Sequence, residues 1–153
     1  MGIYAKMNRE EVIRVYNELI QVFGLTKEDI WLSAGSALVI HGIREFTSDL
    51  DLGCRKTTLL KVAKHLGREP IPFPTSVIFC KEVSLQLPVP EYYTDFHSED
   101  ELDKDKLVYL DGVGVYSLYD LLEQKQRMIL LPRRSDEKLL QDVKDIRAIN
   151  AMM

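Results

Sequence analysis

The chain has 153 residues, of which 46% are hydrophobic and 29% are charged. This size and balance are typical of a globular protein with one core, so we expect residues 1–153 to form a single domain. The formal net charge of −4 argues against a large nucleic-acid-binding surface, although it is compatible with a local basic patch. No apolar run approaches the ~20 residues that cross a bilayer, and the first residues do not have the pattern of a signal peptide. The two cysteines, Cys54 and Cys80, form no metal-binding spacing, and because they are so few we expect a reduced, cytoplasmic setting. The lack of a long apolar run leads us to expect no membrane partner.

The first half of the chain alternates segments of helical and strand periodicity. Asn8 and Glu11 have the spacing of a capping box, and Gly24 is placed to end the helix that follows. In chain order, the predicted elements are a helix over 8–23, a strand over 30–34, a short helix over 37–41, a strand around Asp49 and Asp51, and a helix that is capped by Thr57 or Thr58 and ends at Gly67.

The second half is predicted to contain several strands and then two helices. The strands are 77–80 and 83–87 with a turn at Lys81 and Glu82, 92–96, and a hairpin of 107–110 and 113–116 around Asp111 and Gly112. Ser117 and Ser135 are placed to cap the two helices, the first of which runs to about residue 131. The apolar face predicted for the last helix consists of Leu139, Leu140, Val143, Ile146 and Ile149. This mixed order predicts an α/β (α+β) fold, with helices packed on a mixed β-sheet and two helices at the C-terminal end.

Asp49 and Asp51 alternate with Leu50 and Leu52 in one of the predicted strands. The period of a strand places both carboxylates on one face and both leucines on the other. Two like charges side by side repel each other, and a divalent cation is the commonest reason to keep them together. The pattern therefore indicates a metal site, with a solvated edge strand as the alternative.

Gly35 and Ser36 stand between a predicted strand and a predicted helix. Glycine allows a ligand to approach the backbone closely, and a serine hydroxyl beside free N–H groups favours an anion. Together with a metal held by Asp49 and Asp51, such a turn suits a triphosphate. The alternative is a plain strand-to-helix turn.

Residues 31–38 (WLSAGSAL) and 41–52 (HGIREFTSDLDL) resemble the signature of the DNA polymerase β-type nucleotidyltransferase superfamily, and in particular its minimal enzymes and the AbiEii-like toxins of abortive infection. In that group a Gly-Gly or Gly-Ser turn opens a helix, and an Arg-x-Thr-x-Asp-x-Asp-like string leads into the metal strand. Here the string begins at Arg44 and has one more residue between Arg and Thr. Residues 113–125 and the series from Arg134 to Asp145 are similar to later segments of the group.

The resemblance implies that Gly35 and Ser36 contact the triphosphate and that Asp49 and Asp51 bind Mg²⁺ or Mn²⁺. It also implies a third carboxylate on a later strand, which would allow two metals to be held. Asp95 is our choice because it has the required apolar–polar alternation. The alternatives are Glu82 and Glu91, or an Asp95 that simply lies on the surface.

Lys125 and Arg44 are the predicted phosphate-binding cations. Lys125 lies near the apolar face of its helix, where it either reaches phosphate or snorkels to solvent. Arg44 either holds a phosphate or braces the Asp49 loop through an ion pair. The side chains expected to form a solvated helix face are Lys138, Asp142 and Asp145. His41 is expected to pack, and His97, close to Asp95, is given no role.

These observations lead to two hypotheses about function. The first is an enzyme that moves a nucleoside monophosphate from an NTP to a hydroxyl of RNA, protein or a small molecule and releases pyrophosphate. The second is a catalytically inactive protein of the same fold that binds a nucleotide or a partner. Because no large acceptor-binding region follows the predicted sheet, a homodimer or a second subunit would assist the enzyme. The AbiEii resemblance further suggests a role like that of a toxin–antitoxin system.

Overall fold

The computed structural model describes residues 6–72, 81–88, 93–132 and 134–153. In these ranges the elements are α1 (Arg9–Phe23), β1 (Ile30–Ser33), α2 (Ala34–Ile40), β2 (Asp49–Cys54), α3 (Lys56–Leu66), β3 (Ile71–Pro72), β4 (Val83–Pro88), β5 (Tyr93–Ser98), a 3₁₀ turn (Lys104–Lys106), β6 (Val108–Leu110), β7 (Val113–Val115), α4 (Leu118–Met128) and α5 (Asp136–Met152). The strand predicted over 77–80, together with Cys80 and Glu91, lies outside the described residues.

The predicted capping box of α1 is confirmed. The backbone N–H of Glu11 donates to the side chain of Asn8, and the backbone N–H of Asn8 donates to the side chain of Glu11. Gly24 ends this helix in the left-handed conformation with φ 62°. Ser117 and Ser135 cap α4 and α5 as predicted. Local sequence signals therefore define these helix ends well.

The predicted start of α3 is wrong, because its cap comes from elsewhere in the chain. The helix begins at Lys56, ahead of Thr57 and Thr58. The carboxylate of Asp100 accepts a hydrogen bond of 2.7 Å from the backbone N–H of Lys56, across 44 positions. α4 likewise differs from its prediction, because it ends at Met128 rather than near residue 131.

The seven strands of the described residues form one mixed sheet in the order β3-β4-β5-β2-β1-β7-β6. β2 pairs in parallel with β5, and β1 pairs in parallel with β7, whereas the other neighbours are antiparallel. The predicted β6–β7 hairpin is confirmed, and both turn residues have positive φ, 50° at Asp111 and 77° at Gly112. The predicted fold class, a mixed sheet packed by helices with two helices at the C-terminal end, is therefore confirmed.

The core lies on the face of the sheet that carries the leucines of β2. Leu50 and Leu52 are fully buried there, and the ring of Phe96 on β5 meets Phe23 of α1 edge to face. The opposite face of β2 carries Asp51 and turns toward a cleft to which α4 and α5 contribute. Within the described ranges, no helix has the length and apolarity that crossing a bilayer requires.

The face that α5 turns toward the rest of the protein differs from the prediction. Leu140 is 58% exposed and Val143 is 38% exposed, whereas Asp142 and Asp145 are almost completely buried. The buried residues of this helix are these two aspartates and Ile149. The expectation of a solvated face at Asp142 and Asp145 is therefore wrong, and the reason is a set of ionic partners described below.

Candidate functional site

Two parallel strands bring carboxylates together in the centre of the sheet. In the register of β2 and β5, Asp51 stands directly opposite Asp95. His97, two residues further along β5, shares their face, and its Nε2 lies 3.6 Å from Oδ1 of Asp51. One ligand atom from each of Asp51, Asp95 and His97 lies within 4.8 Å of the others. Carboxylate oxygens and an imidazole nitrogen at this spacing suit a divalent cation.

Asp49 lies on the same face at the start of β2 but outside this trio. Asp49 is exposed and Asp51 is half-buried, whereas Leu50 and Leu52 are fully buried. The alternation of more exposed carboxylates with buried leucines that we expected over residues 49–52 is therefore present in the strand. Asp49 borders the same cleft as Asp51.

Burial and neighbouring carboxylates raise the pKa of two acids at this site, Asp95 and Asp49. Burial raises the pKa of Asp95 to about 6, and the carboxylates of Asp51 and Asp49 add to this, while His97 opposes it. Burial and then the carboxylate of Asp51 also raise the pKa of Asp49. Crowded carboxylates of this kind are relieved by a cation, so the residues present fit Mg²⁺ or Mn²⁺.

We expect Asp95→Asn to raise the free energy of unfolding of the metal-free protein by about 2 kcal/mol near neutral pH. The raised pKa means that folding disfavours the ionised carboxylate. This energetic cost is therefore absent at pH values below the ordinary pKa of 3.8. It is complete at pH values above the pKa of about 6 that Asp95 has in the folded protein. Urea denaturation in EDTA should show the gain growing between about pH 4 and about pH 7. The exposed Asp105→Asn serves as the matched control, and an Asp95→Asn protein less stable than the wild type at neutral pH would contradict the expectation.

The carboxylates of Asp49 and Asp51 border a cleft of about 420 Å³. Besides Asp49, Asp51 and His97, the cleft is lined by four cationic side chains, which come from the α2–β2 connection, the start of β4 and the region of α5. These are Arg44, Lys81, Arg134 and Lys138. Carboxylates and cations in one cleft provide for a metal and for an anion beside it.

Gly35 and Ser36 lie in the first turn of α2, which begins at Ala34 rather than at the predicted residue 37, and neither residue lines the cleft. Ser36 is fully buried, and its hydroxyl donates to the carbonyl of Ser33 at 2.8 Å and accepts from the backbone N–H of Asp51 at 3.3 Å. The residues of the turn that line the cleft are Ser33 and Ala34. Ser36 therefore connects α2 to the strand that carries Asp51, and its hydroxyl is engaged in that contact.

Gly35 is buried beneath an arginine. A Cβ atom at this position would lie 3.0 Å from Nη1 of Arg44 and 3.0 Å from Oγ1 of Thr47. The missing side chain therefore allows the Arg44 guanidinium to pack against the backbone of the turn. The preceding Ala34 has φ 51°, a left-handed conformation that is strained for a residue with a side chain.

Three cations converge on two buried aspartates of α5. Lys125 Nζ lies 3.0 Å from Asp142 Oδ1 and 3.1 Å from Asp145 Oδ2. Arg134 donates from Nε and Nη2 to Asp142 at 2.6 and 3.1 Å. Arg44 donates to Asp145 from Nε at 3.1 Å and also from Nη2. The network thus combines three positive and two negative charges, and we call it the cation network.

The two aspartates are ionised because of these partners. Burial alone would raise the pKa of Asp142, but hydrogen bonds from Arg134 and Lys125 outweigh it and lower the pKa. Burial has the same tendency at Asp145, where hydrogen bonding by Arg44 and the charge of Lys125 lower the pKa. The expected phosphate role of Lys125 is therefore at odds with its position, because the lysine is only 5% exposed and lies between two carboxylates.

Arg44 and Arg134 reach both the cation network and the cleft. The side chain of Arg44 is 24% exposed and that of Arg134 is 16% exposed, and both border the cleft. Of the two expectations for Arg44, an ion pair is present, but it joins Asp145 of α5 rather than the Asp49 loop. A phosphate contact by Arg44 remains compatible with its position.

His97, for which no role was expected, and Lys138, which was expected only on a solvated helix face, both border the cleft. The signal for His97 was present, because Asp95 and His97 are two positions apart on a strand and therefore share a face. Lys138 lies four residues before Asp142, which places both on one side of α5. That Lys138 borders the cleft follows only from the tertiary structure, in which this side of α5 packs against the rest of the protein.

No protein-family model matches the chain, and no curated protein matches its sequence significantly. Among solved structures, the fold is similar to that of the lincosamide antibiotic adenylyltransferase LnuA bound to lincomycin, with a TM-score of 0.57 and 16% sequence identity. That similarity covers 94% of this chain and 98% of LnuA. JHP933 from Helicobacter pylori is also similar, with a TM-score of 0.46 and 13% identity over 90% of this chain and 65% of that one.

The likeness to LnuA shows that the chain has a fold used by a nucleotidyltransferase, over nearly the whole length of both proteins. It supports the wider resemblance described above at the level of fold. Neither the minimal enzymes nor the AbiEii-like toxins are singled out by these comparisons.

Proposed function

We propose that the protein transfers a nucleoside monophosphate from an NTP to a hydroxyl group and releases pyrophosphate. The observation that carries this proposal is the pairing of Asp95 with Asp51, a residue that lines a cleft together with Arg44 and Arg134. Carboxylates for a metal and arginines for phosphate are the groups that this transfer needs. The fold is consistent with this chemistry, since LnuA is named an adenylyltransferase.

In this proposal Asp49, Asp51 and Asp95 hold Mg²⁺ or Mn²⁺, with His97 beside them. When bound, the metal would neutralise charge on the phosphates and favour ionisation of the acceptor hydroxyl. The acceptor oxygen forms a bond to the α-phosphorus while the bond from that phosphorus to the pyrophosphate oxygen breaks. The proton of the hydroxyl passes to one of the carboxylates.

The arginines are well placed to bind the triphosphate. Arg44 and Arg134 each use Nε and Nη2 on an aspartate, which fixes both guanidinium groups at positions where their side chains border the cleft. Because the cation network has more positive than negative charges, it attracts phosphate even with both aspartates ionised. Lys138 adds a charge at the edge of the cleft.

A labelling experiment tests the proposal. The protein is incubated with each α-labelled NTP, with Mg²⁺ or Mn²⁺, and with a cell extract, and label is then sought on RNA, protein and small molecules. We expect transfer of label that depends on the metal, with release of unlabelled pyrophosphate. NTP binding without any transfer would contradict the enzymatic proposal.

The second candidate function is a catalytically inactive protein that binds a nucleotide or a partner. It is favoured by the position of Asp49, which is exposed and lies outside the trio of Asp51, Asp95 and His97. With fewer ligands converging, a single metal and a nucleotide would be held without turnover. Measurable NTP binding and no labelled product would support a nucleotide-binding protein without activity. Absence of NTP binding would contradict both the enzyme and the nucleotide-binding protein and leave only the partner-binding form of this alternative.

A further inference from the structure

The outer side of α5 carries an exposed row of four residues that combines apolar and charged side chains. Asp136, Leu140, Val143 and Arg147 follow one another at steps of four, three and four positions, which places them in one line along a helix. All four residues are exposed. We call this row the α5 stripe. Its two apolar members, Leu140 and Val143, form a centre between two charged ends.

The α5 stripe points away from the core of the protein. A helix turns about 100° per residue, so the stripe lies roughly 160° around α5 from the buried residues Asp142, Asp145 and Ile149. On a surface helix this outer side is normally polar. The packing of the described residues does not cover Leu140 and Val143, so these two neighbours are available to another molecule.

The charges of the α5 stripe suit a second copy of the same helix that runs in the opposite direction. The acidic residue Asp136 is at the start of the stripe and the basic residue Arg147 is at its end. A two-fold axis midway between Leu140 and Val143 places Leu140 of each copy against Val143 of the other. The same axis places Asp136 of each copy against Arg147 of the other, because both pairs are centred on the same point. One symmetric arrangement therefore provides two apolar contacts and two ion pairs.

The exposed charges beside the stripe have the same polarity. Glu137 lies at the acidic end of α5 with Asp136, and Lys144 lies in the C-terminal half with Arg147. In an antiparallel pair the acidic end of each helix faces the basic half of the other, whereas a parallel pair in register would bring like charges together. Charge complementarity therefore favours a second copy of α5 in the antiparallel direction.

We propose that the protein forms a symmetric homodimer in which two copies of α5 pack antiparallel along the α5 stripe. This inference does not depend on the proposed function. The cleft stays open in the dimer, because Lys138 and Asp142 border it from the other side of the helix. A contact made mainly by one helix buries less than the ~800 Å² per partner of a standard interface, so the dimer dissociates with a Kd on the order of micromolar.

Sedimentation velocity over a series of concentrations tests the surface. From about 1 to about 300 µM, the wild type should change reversibly from monomer to dimer. Leu140→Glu places a charge at the centre of the stripe and should raise the Kd at least about tenfold. Leu60→Glu, at an exposed leucine of α3, is the matched control and should leave the Kd unchanged. Circular dichroism shows whether both variants keep the fold.

A charge exchange tests the antiparallel direction. Asp136→Arg gives the stripe a positive charge at both ends, and Arg147→Asp gives it a negative charge at both ends. Each variant alone should therefore dimerise roughly tenfold more weakly than the wild type. An equimolar mixture of the two should form a heterodimer of wild-type affinity, because every arginine of the stripe then meets an aspartate. The weakening of the single variants should decrease in about 1 M salt.

The outcomes that would overturn the inference are distinct. A wild type that stays monomeric at about 300 µM would show that a second copy does not occupy the stripe. Equal effects of Leu140→Glu and Leu60→Glu would place the dimer contact elsewhere. A mixture of the charge variants that associates no more tightly than each variant alone would exclude the antiparallel pairing.

Discussion

Replacing Asp51 with asparagine is expected to reduce nucleotide transfer roughly a thousandfold. Asp51 is the residue that joins the cluster, because it faces Asp95 across the parallel strands and its Oδ1 lies 3.6 Å from His97. Asparagine has nearly the same size but no charge, so a metal held at the proposed site would lose an anionic ligand. The backbone contact of Asp51 with Ser36 does not involve the carboxylate, so the turn is preserved.

Initial rates of label transfer at saturating NTP and metal would measure this loss. Asp105→Asn removes an exposed carboxylate that is not part of the cleft lining and should leave the rate unchanged. A second reading is the thermal stabilisation of the protein by Mn²⁺, which Asp51→Asn should abolish. An Asp51→Asn protein that keeps more than a tenth of the activity would refute the assignment of the metal site.

Asp142→Asn is expected to lower the free energy of unfolding by about 3–5 kcal/mol at neutral pH. The Asp142 side chain is 1% exposed and contacts both Lys125 and Arg134. Removing its charge leaves three cations, Lys125, Arg134 and Arg44, with the single carboxylate of Asp145. Of these cations, Lys125 is deeply buried. Glu137→Gln, on an exposed position of the same helix, is the matched control.

The effect of Asp142→Asn should also depend on pH. Since the folded pKa of Asp142 is lowered, the carboxylate contributes stability above its ordinary pKa of 3.8 and loses that contribution as pH falls through the lowered value. Denaturant titrations should therefore show the wild type and the variant converging below about pH 4. A double variant that combines Asp142→Asn with Lys125→Met should recover part of the lost stability. A decrease of less than about 1 kcal/mol in the free energy of unfolding of the single variant would contradict the role assigned to the cation network.

The elements and the face of the metal strand could be predicted because they depend on nearby residues. The capping box of Asn8 and Glu11, the turn at Asp111 and Gly112, and the alternation around Asp51 are all properties of a few consecutive positions. The choice of Asp95 used the same local alternation. Its register opposite Asp51, however, depends on how a distant strand crosses over, which no local pattern encodes.

The side of α5 that is buried could not be predicted from its own residues. Its leucines and valine have the spacing of a core face, and Asp142 and Asp145 have the appearance of solvated charges. Their burial depends on Arg44, Lys125 and Arg134, which belong to other segments of the chain. A charge is buried only when its partners are in place, so its environment is a property of the tertiary structure. Ser36 illustrates the same point, because its partner is the backbone of β2.

The ion pair between Arg44 and Asp145 joins residues 101 positions apart in the chain. During synthesis the ribosome therefore releases β2 and β5, with their carboxylates, well before the helix that orients the arginines. A nascent chain at that stage is expected to chelate a divalent cation and yet to bind a triphosphate poorly. Under the proposed function, nucleotide binding would therefore require the segment that contains Asp145 to be folded against Arg44.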